Sequence, residues 1–256
     1  MDVKLIEYTK NAERLLVFSK RTRHMKSVDS YDEVLEMDDE EIQGNLNYVF
    51  NTIQSSWEFV DYVFLICDVT RAFTHQLVRH RVGTAFAQQA QRVATQEGFG
   101  YLATGTCIEN ETYHNTMKDI QNGYDKLINE DECRPQDARG VLPTNVYTNI
   151  LFKVNLRALS DMLCTRLCVR AQGEFQLVAR EMQKLVVKVH PFTAPILGPN
   201  CMRYGVCKFP RFADCPIKKK FPFLNGINDR MRDEIKDFWT KTVGFDPQPT
   251  AHSWEK

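Results

Sequence analysis

The sequence predicts a single mixed α/β domain, and three observations carry that reading. Two short runs, "FVDYVFLICDV" and "YTNILFKVN", are rich in β-branched and aromatic residues, as core strands are. A longer run, "EFQLVAREMQKLVVKVH", sets Phe175, Val178, Met182, Leu185 and Val189 on one face of a helix. No Pro/Ser-rich linker divides the 256 residues, a length that suits one large domain or two small ones with a sizeable core.

The elements follow in order. "VKLIEYT" reads as a short N-terminal strand, and "NAERLLVFSKRTRH" as a helix followed by a basic loop. "DDEEIQGNLNYVFNTIQ" opens with acids that suit a helix N-terminus and then spaces Ile42, Leu46, Val49 and Phe50 as a helix does. After the strand in "FVDYVFLICDV", "TRAFTHQLVRHR" reads as a helix capped by Thr70. "RHRVGTAFAQQAQR" fits neither a clean amphipathic helix nor a buried strand. "TQEGFGYLATGTCIENET" is loop-like, with Gly98, Gly100 and Gly105 as turn residues. A helix over 112–130 and a short helix in "RPQDARGVLP" come next. "YTNILFKVN" then forms a strand, "LRALSDMLCTRL" a helix, and "GPNCMRYGVCKFPRFADCP" an irregular loop. The tail carries a last helix, "DRMRDEIKDFWTKTV". The domain is expected over 1–225, with 226–256 a helical extension of it.

Composition excludes several classes. Lys+Arg and Asp+Glu both number 33, so the formal net charge is zero. That argues against broad electrostatic capture of nucleic acid or of an anionic membrane. The opening "MDVKLIEYTKNAER" is charged throughout and is no secretory signal. The most apolar run carries Asp61 and Asp68 and is too short to span a bilayer. Eight cysteines are therefore expected as thiols in a reducing cytoplasm.

The chemistry-bearing residues are mostly arginines. Arg166 and Arg170 share a helix face, where like charges repel unless an anion lies between them. A guanidinium recognises phosphate well, through its planar fork of donors. The plain alternative is a solvated basic face. No Walker loop is present, and "GFGYLATG" is not a dinucleotide fingerprint. Side chains must therefore hold any nucleotide phosphate. Cys164 and Cys168, then Cys201, Cys207 and Cys215, have spacings C-x3-C, C-x5-C and C-x7-C, which match no standard zinc unit. No metal is expected, and Cys168, Cys201, Cys207 and Cys215 are read as free thiols.

Two regions then converge on a family. "HQLVRHR" with its glutamine-rich continuation resembles the signature R-H-R-x7-S of the flavin-dependent thymidylate synthases. "DARGVLPTNVYTNILFKVNLRALSDMLCTRLCVRAQGEFQLVAREM" resembles the family's second region, with the "VN-x-R" strand end and the "R-x3-RAQ-x-E" helix in register. The resemblance implies a twisted, largely antiparallel sheet packed with helices, assembled as a homotetramer with shared active sites. It implies FAD, with NADPH and methylenetetrahydrofolate as co-substrates, and transfer of a one-carbon unit to C5 of dUMP to give dTMP.

Site roles carry over on the same terms. Arg79, His80 and Arg81 would contact FAD, together with Asn155, Arg157, Asp161, Arg170 and Ser56. Gln76, Arg79, Arg139 and Arg166 would bind dUMP, with Arg166 beside N3 of the base as the catalytic arginine. Gln88, Gln89, Gln91 and Arg92 would line the nucleotide pocket. Here the chain departs from the pattern: the signature serine is Gln89, the glutamate two before it is Ala87, and the arginine two after it is Gln91. Those departures leave two other readings open. One is hydroxymethylation of dUMP or modification of dCMP with the same cofactors, and the other is a non-catalytic nucleotide- or flavin-binding relative. A nucleic-acid-binding module is disfavoured by the zero net charge.

Overall fold

The computed structural model describes residues 1–22, 30–52, 54–209, 211–212 and 214–220. Four strands form one antiparallel sheet in the order β1-β2-β4-β3: β1 (Asp2–Tyr8), β2 (Asp61–Thr70), β3 (Thr84–Gln88) and β4 (Tyr147–Asn155). The period-2 alternation of the two central strands explains the layering. Tyr62, Phe64 and Ile66 of β2 and Ile150, Phe152 and Val154 of β4 point to one face and are buried. Phe152 stacks between Phe64 and Phe86, with ring centroids 6.4 and 5.2 Å away.

Helices from both halves of the chain pack on that face. The helices among the described residues are α1 (Ala12–Arg21), α2 (Ser30–Leu35), α3 (Asp39–Thr52), α4 (Arg71–Leu77), α5 (Glu111–Asn129), α6 (Pro135–Ala138), α7 (Leu156–Arg166), α8 (Gly173–Val189), α9 (Asn200–Tyr204) and α10 (Pro216–Lys220). Leu16, Leu46, Leu163, Phe175 and Met182 join the strand residues in the main core. A smaller cluster, Phe99, Tyr124, Ala138 and Val146, anchors α5 and α6 at one edge. No helix among the described residues is long and apolar enough to cross a membrane.

Most expected elements are present, and three differences matter. The helix that starts after Thr70 ends at Leu77, so Arg79, His80 and Arg81 lie in a turn beyond it. Part of the glutamine-rich stretch is strand β3, which pairs with the outer edge of β4. The cysteine-bearing loop contains the short helix α9. The basic loop expected after α1 falls largely outside the described residues, as do the tail helix "DRMRDEIKDFWTKTV" and the extension 226–256.

Candidate active site

β2 and α4 are joined by a bulge and a cap. The register of β2 against β4 shifts between Ile66 and Val69, and Asp68 has a positive φ of 53°. The shift turns both Val69 and Thr70 inward. Thr70 then caps α4, its Oγ1 accepting from Phe73 N at 3.0 Å. The same hydroxyl donates to Glu174 Oε2 at 2.6 Å, and Thr70 N donates to Glu174 Oε1 at 2.7 Å. Glu174 is 7% exposed and belongs to the first turn of α8. Burial raises its carboxyl, while the bonds from Thr70 pull the other way. One buried carboxylate thus ties the start of α4 to the start of α8.

The other end of α4 delivers the basic turn. His80 N donates to Leu77 O at 3.1 Å, and Thr84 Oγ1 donates to His80 O at 2.6 Å. Gly83 has a φ of +68°, and a Cβ there would collide with the Asn155 side chain. Asn155 N donates to Gly83 O at 2.9 Å, and Asn155 Oδ1 caps α7 by accepting from Ala158 N at 2.9 Å. The turn is therefore held by the strand end that starts α7, the helix ending in Arg166.

Arg166 meets the turn directly. Its Nε donates to His80 Nε2 at 3.3 Å, and its Nη1 donates to Gln76 Oε1 at 3.2 Å. Gln76 Nε2 donates in turn to Gln172 Oε1 at 2.7 Å. The guanidinium lies 4.4 Å from the centroid of the Phe175 ring. His80 approaches the same ring edge-on at 6.1 Å. Burial lowers the His80 pKa, and the charge of Arg166 lowers it further. The imidazole is thus neutral at pH 7, with Nε2 as acceptor and the proton on Nδ1. Burial also pulls Arg166 down from its ordinary value.

A cleft of about 560 Å³ opens beside this cluster, lined by Arg71, Thr74, His75, Gln76, Gln88 and Thr144 among others. That size suits a small-molecule ligand. Gln88 Nε2 donates to Thr74 Oγ1 at 2.9 Å and to Thr148 Oγ1 at 3.4 Å, which braces one wall.

The structure thus brings Gln76, His80 and Arg166 into contact, sets Gln88 in the same cleft, and places Asn155 against the turn. Arg79 and Arg81 are exposed, as are Gln89 and Arg92. Gln91 Nε2 is buried with no hydrogen-bond partner, a donor that a ligand at this segment would satisfy. Arg139 is exposed, and its charge reaches Arg71.

The other expected cofactor contacts are more scattered. Arg157 pairs with Glu58 at 2.6 Å. Asp161 lies 3.8 Å from Arg203. Arg170 stacks over Phe209 and Phe212 at 5.6 and 5.0 Å. Ser56 is 4% exposed, inside the turn Gln54–Phe59. The sequence did not single out Arg71, Gln172 or Glu174 as site residues, and it placed Phe175 only on the apolar face of its helix. For Gln172 and Glu174 the "RAQ-x-E" pattern was a signal.

The donor set fits a flavin dinucleotide at the turn. Arg79 and Arg81 have no carboxylate partner among the described residues and can neutralise a diphosphate, while the neutral His80 imidazole offers a polar edge. All eight cysteines are free thiols. Burial raises Cys164 and Cys168, and burial together with the neighbouring Cys215 pushes Cys201 up to about 12.

Known proteins are similar to this chain. A family model described as thymidylate synthase complementing protein matches residues 4–192. The chain therefore belongs to that family. A flavin-dependent thymidylate synthase from Sulfurisphaera tokodaii is 36% identical over 208 residues, covering 79% of each chain. One from Clostridium tetani is 32% identical over 225 residues, covering 80% of this chain and 89% of its own. Thymidylate synthase X from Helicobacter pylori, solved with FAD and dUMP, shares the fold at a TM-score of 0.59 and 19% identity, over 75% of this chain and 96% of that one.

Proposed function

We propose that the protein transfers a one-carbon unit from methylenetetrahydrofolate to C5 of dUMP, giving dTMP, with FAD bound and NADPH as reductant. The observation that carries this reading is the Arg166–Gln76–His80 cluster at the edge of a nucleotide-sized cleft. When bound and reduced, FAD supplies the hydride that completes the methyl group.

The chain's own residues supply position and charge. Arg166 is fixed from two sides, by Gln76 and by His80, and lies over Phe175. A guanidinium held beside N3 and O2 of uracil lowers the cost of negative charge on the ring, which makes C5 more nucleophilic. Because the cluster is half-buried, that stabilisation is screened less than it would be in water. Neutral cytosine has no N3 proton to lose, so the same guanidinium favours uracil. Gln172 holds the Gln76 amide so that its oxygen, not its nitrogen, faces Arg166. In this reading Arg79, His80, Arg81, Asn155 and Arg157 hold FAD, and Arg139 contacts the nucleotide.

The rest of the reading concerns assembly and setting. The sheet face away from the helices carries exposed Leu151, Ala85 and Ala87 and is the surface we assign to a homotetramer. The eight thiols suit a reducing cytoplasm.

Purification tests the cofactor and the acceptor together. The protein should carry a flavin absorbance spectrum that dUMP perturbs and dCMP does not. A protein that shows no flavin spectrum after incubation with FAD would refute the reading.

A further inference from the structure

Four of the eight cysteines come together in space. Cys168 lies in the turn beyond α7, Cys201 in the first turn of α9, and Cys207 and Cys215 on the segment that follows. Cys201 is within electrostatic reach of Cys168, Cys207 and Cys215, and Cys168 within that of Cys207 and Cys215. Arg170 holds this segment against the end of α7, because its guanidinium lies over the rings of Phe209 and Phe212. Cys164, earlier on α7, has a different partner: Arg203 Nη1 donates to its sulfur at 3.1 Å. The linear spacings hid the group, since one member follows α7 and the other three follow α8.

Backbone donors face three of the four sulfurs. Phe209 N donates to Cys207 Sγ at 3.4 Å. The N–H groups of Arg170 and Met202 likewise favour negative charge on the sulfurs of Cys168 and Cys201. A neutral thiol is a weak acceptor, so donors gathered on sulfur suit thiolates. Four neighbouring thiolates repel one another, and a divalent cation among them reverses the sign of that interaction. The segment also needs a tie. Between Pro199 and Lys220 the large apolar side chains that are buried among the described residues are Met202 and Ile217. So small a core gains from a metal staple.

We propose that Cys168, Cys201, Cys207 and Cys215 bind one structural zinc ion as thiolates, which pins the segment after α8 to the end of α7. As they stand, the side chains do not close into a ligand set for an ion among the described residues. Zinc would draw the sulfurs the remaining distance and release their four protons to solvent, since structural zinc completes the folding of its own site. A four-cysteine set leaves the ion no open position, so it takes no part in the one-carbon chemistry. Cys168 stands two residues beyond Arg166, and the staple therefore steadies the arginine of the cluster as well.

Metal analysis of the reduced, flavin-loaded protein after incubation with zinc and desalting tests this. Wild type should hold about one zinc per chain. The double variant Cys207→Ser/Cys215→Ser should hold almost none, and Cys107→Ser, outside the group, should match wild type. Cobalt added to chelator-treated wild type should give the strong ligand-field bands of a tetrahedral thiolate site, at wavelengths longer than flavin absorbs. Zinc-free wild type would overturn the proposal, as would equal zinc in wild type and the double variant. Should the double variant fail to fold, the cobalt spectrum of wild type decides: weak bands without thiolate-to-cobalt charge transfer would overturn the site.

Discussion

Arg166 Nε donates to His80 Nε2 at 3.3 Å, and both groups lie against the ring of Phe175. A cation and a histidine can share such a contact only while the imidazole is neutral. The pair therefore joins the protonation of the basic turn to the placement of the arginine that meets the base.

Replacing the arginine should separate chemistry from cofactor binding. Arg166→Ala should lower dUMP turnover on the order of a hundredfold or more, because it removes a guanidinium aimed at developing charge. FAD should remain bound, since its contacts are assigned to residues 79–81, Asn155 and Arg157. Arg170 cannot substitute: the helix expected to carry both arginines ends at Arg166, so Arg170 lies in the turn beyond α7 and stacks on Phe209 and Phe212. Absorbance of the purified variant, read beside its turnover, checks both halves.

The same contact predicts a pH dependence. His80 is held below its usual 6.5 by burial and by the Arg166 charge. The folded chain thus binds this proton more weakly than the unfolded chain, and stability rises with pH across the window. The contribution is complete above about 6.5 and is lost as pH falls through the lower folded value. Melting temperature and dUMP affinity should both drop on that acid limb. The limb should flatten in His80→Asn, whose side chain does not titrate. The difference between the two profiles isolates His80 from Glu174, whose carboxyl burial shifts upward.

Glu174→Ala should act through structure. It would leave Thr70 N and Thr70 Oγ1 without their acceptor in a buried site. That should cost roughly 2 kcal/mol and lower Tm by about 4–8 °C. Because α4 carries Gln76 at its C-terminal end, dUMP affinity should fall as well. Calorimetry and a dUMP titration on one preparation would measure both.

The parts legible in sequence are those with a strong period. β2, β4, α7 and α8 bury one face each, and their apolar spacing says so. β3 was hidden because only Phe86 among Thr84–Gln88 is a large apolar residue, while Ala85 and Ala87 face outward. Its strand is imposed by the free edge of β4, a tertiary effect that no local pattern carries. α4 stops short of the basic turn because Gly83, at positive φ, and Asn155 fix the chain after it. Within the site, the family pattern pointed to Arg166, Gln76 and His80, and the fold brings all three together. Arg71 was invisible because its relation to Arg139 exists only in space. Gln172 stood in a quoted pattern, but only the hydrogen bond to Gln76 shows its task.

The most direct test of the whole account is the mass of the product formed from dUMP by the flavin-loaded protein with NADPH and methylenetetrahydrofolate. The account predicts dTMP, formed only when all three small molecules are present, with no product from dCMP under the same conditions. A product carrying the mass of 5-hydroxymethyl-dUMP, or turnover of dCMP in place of dUMP, would contradict it.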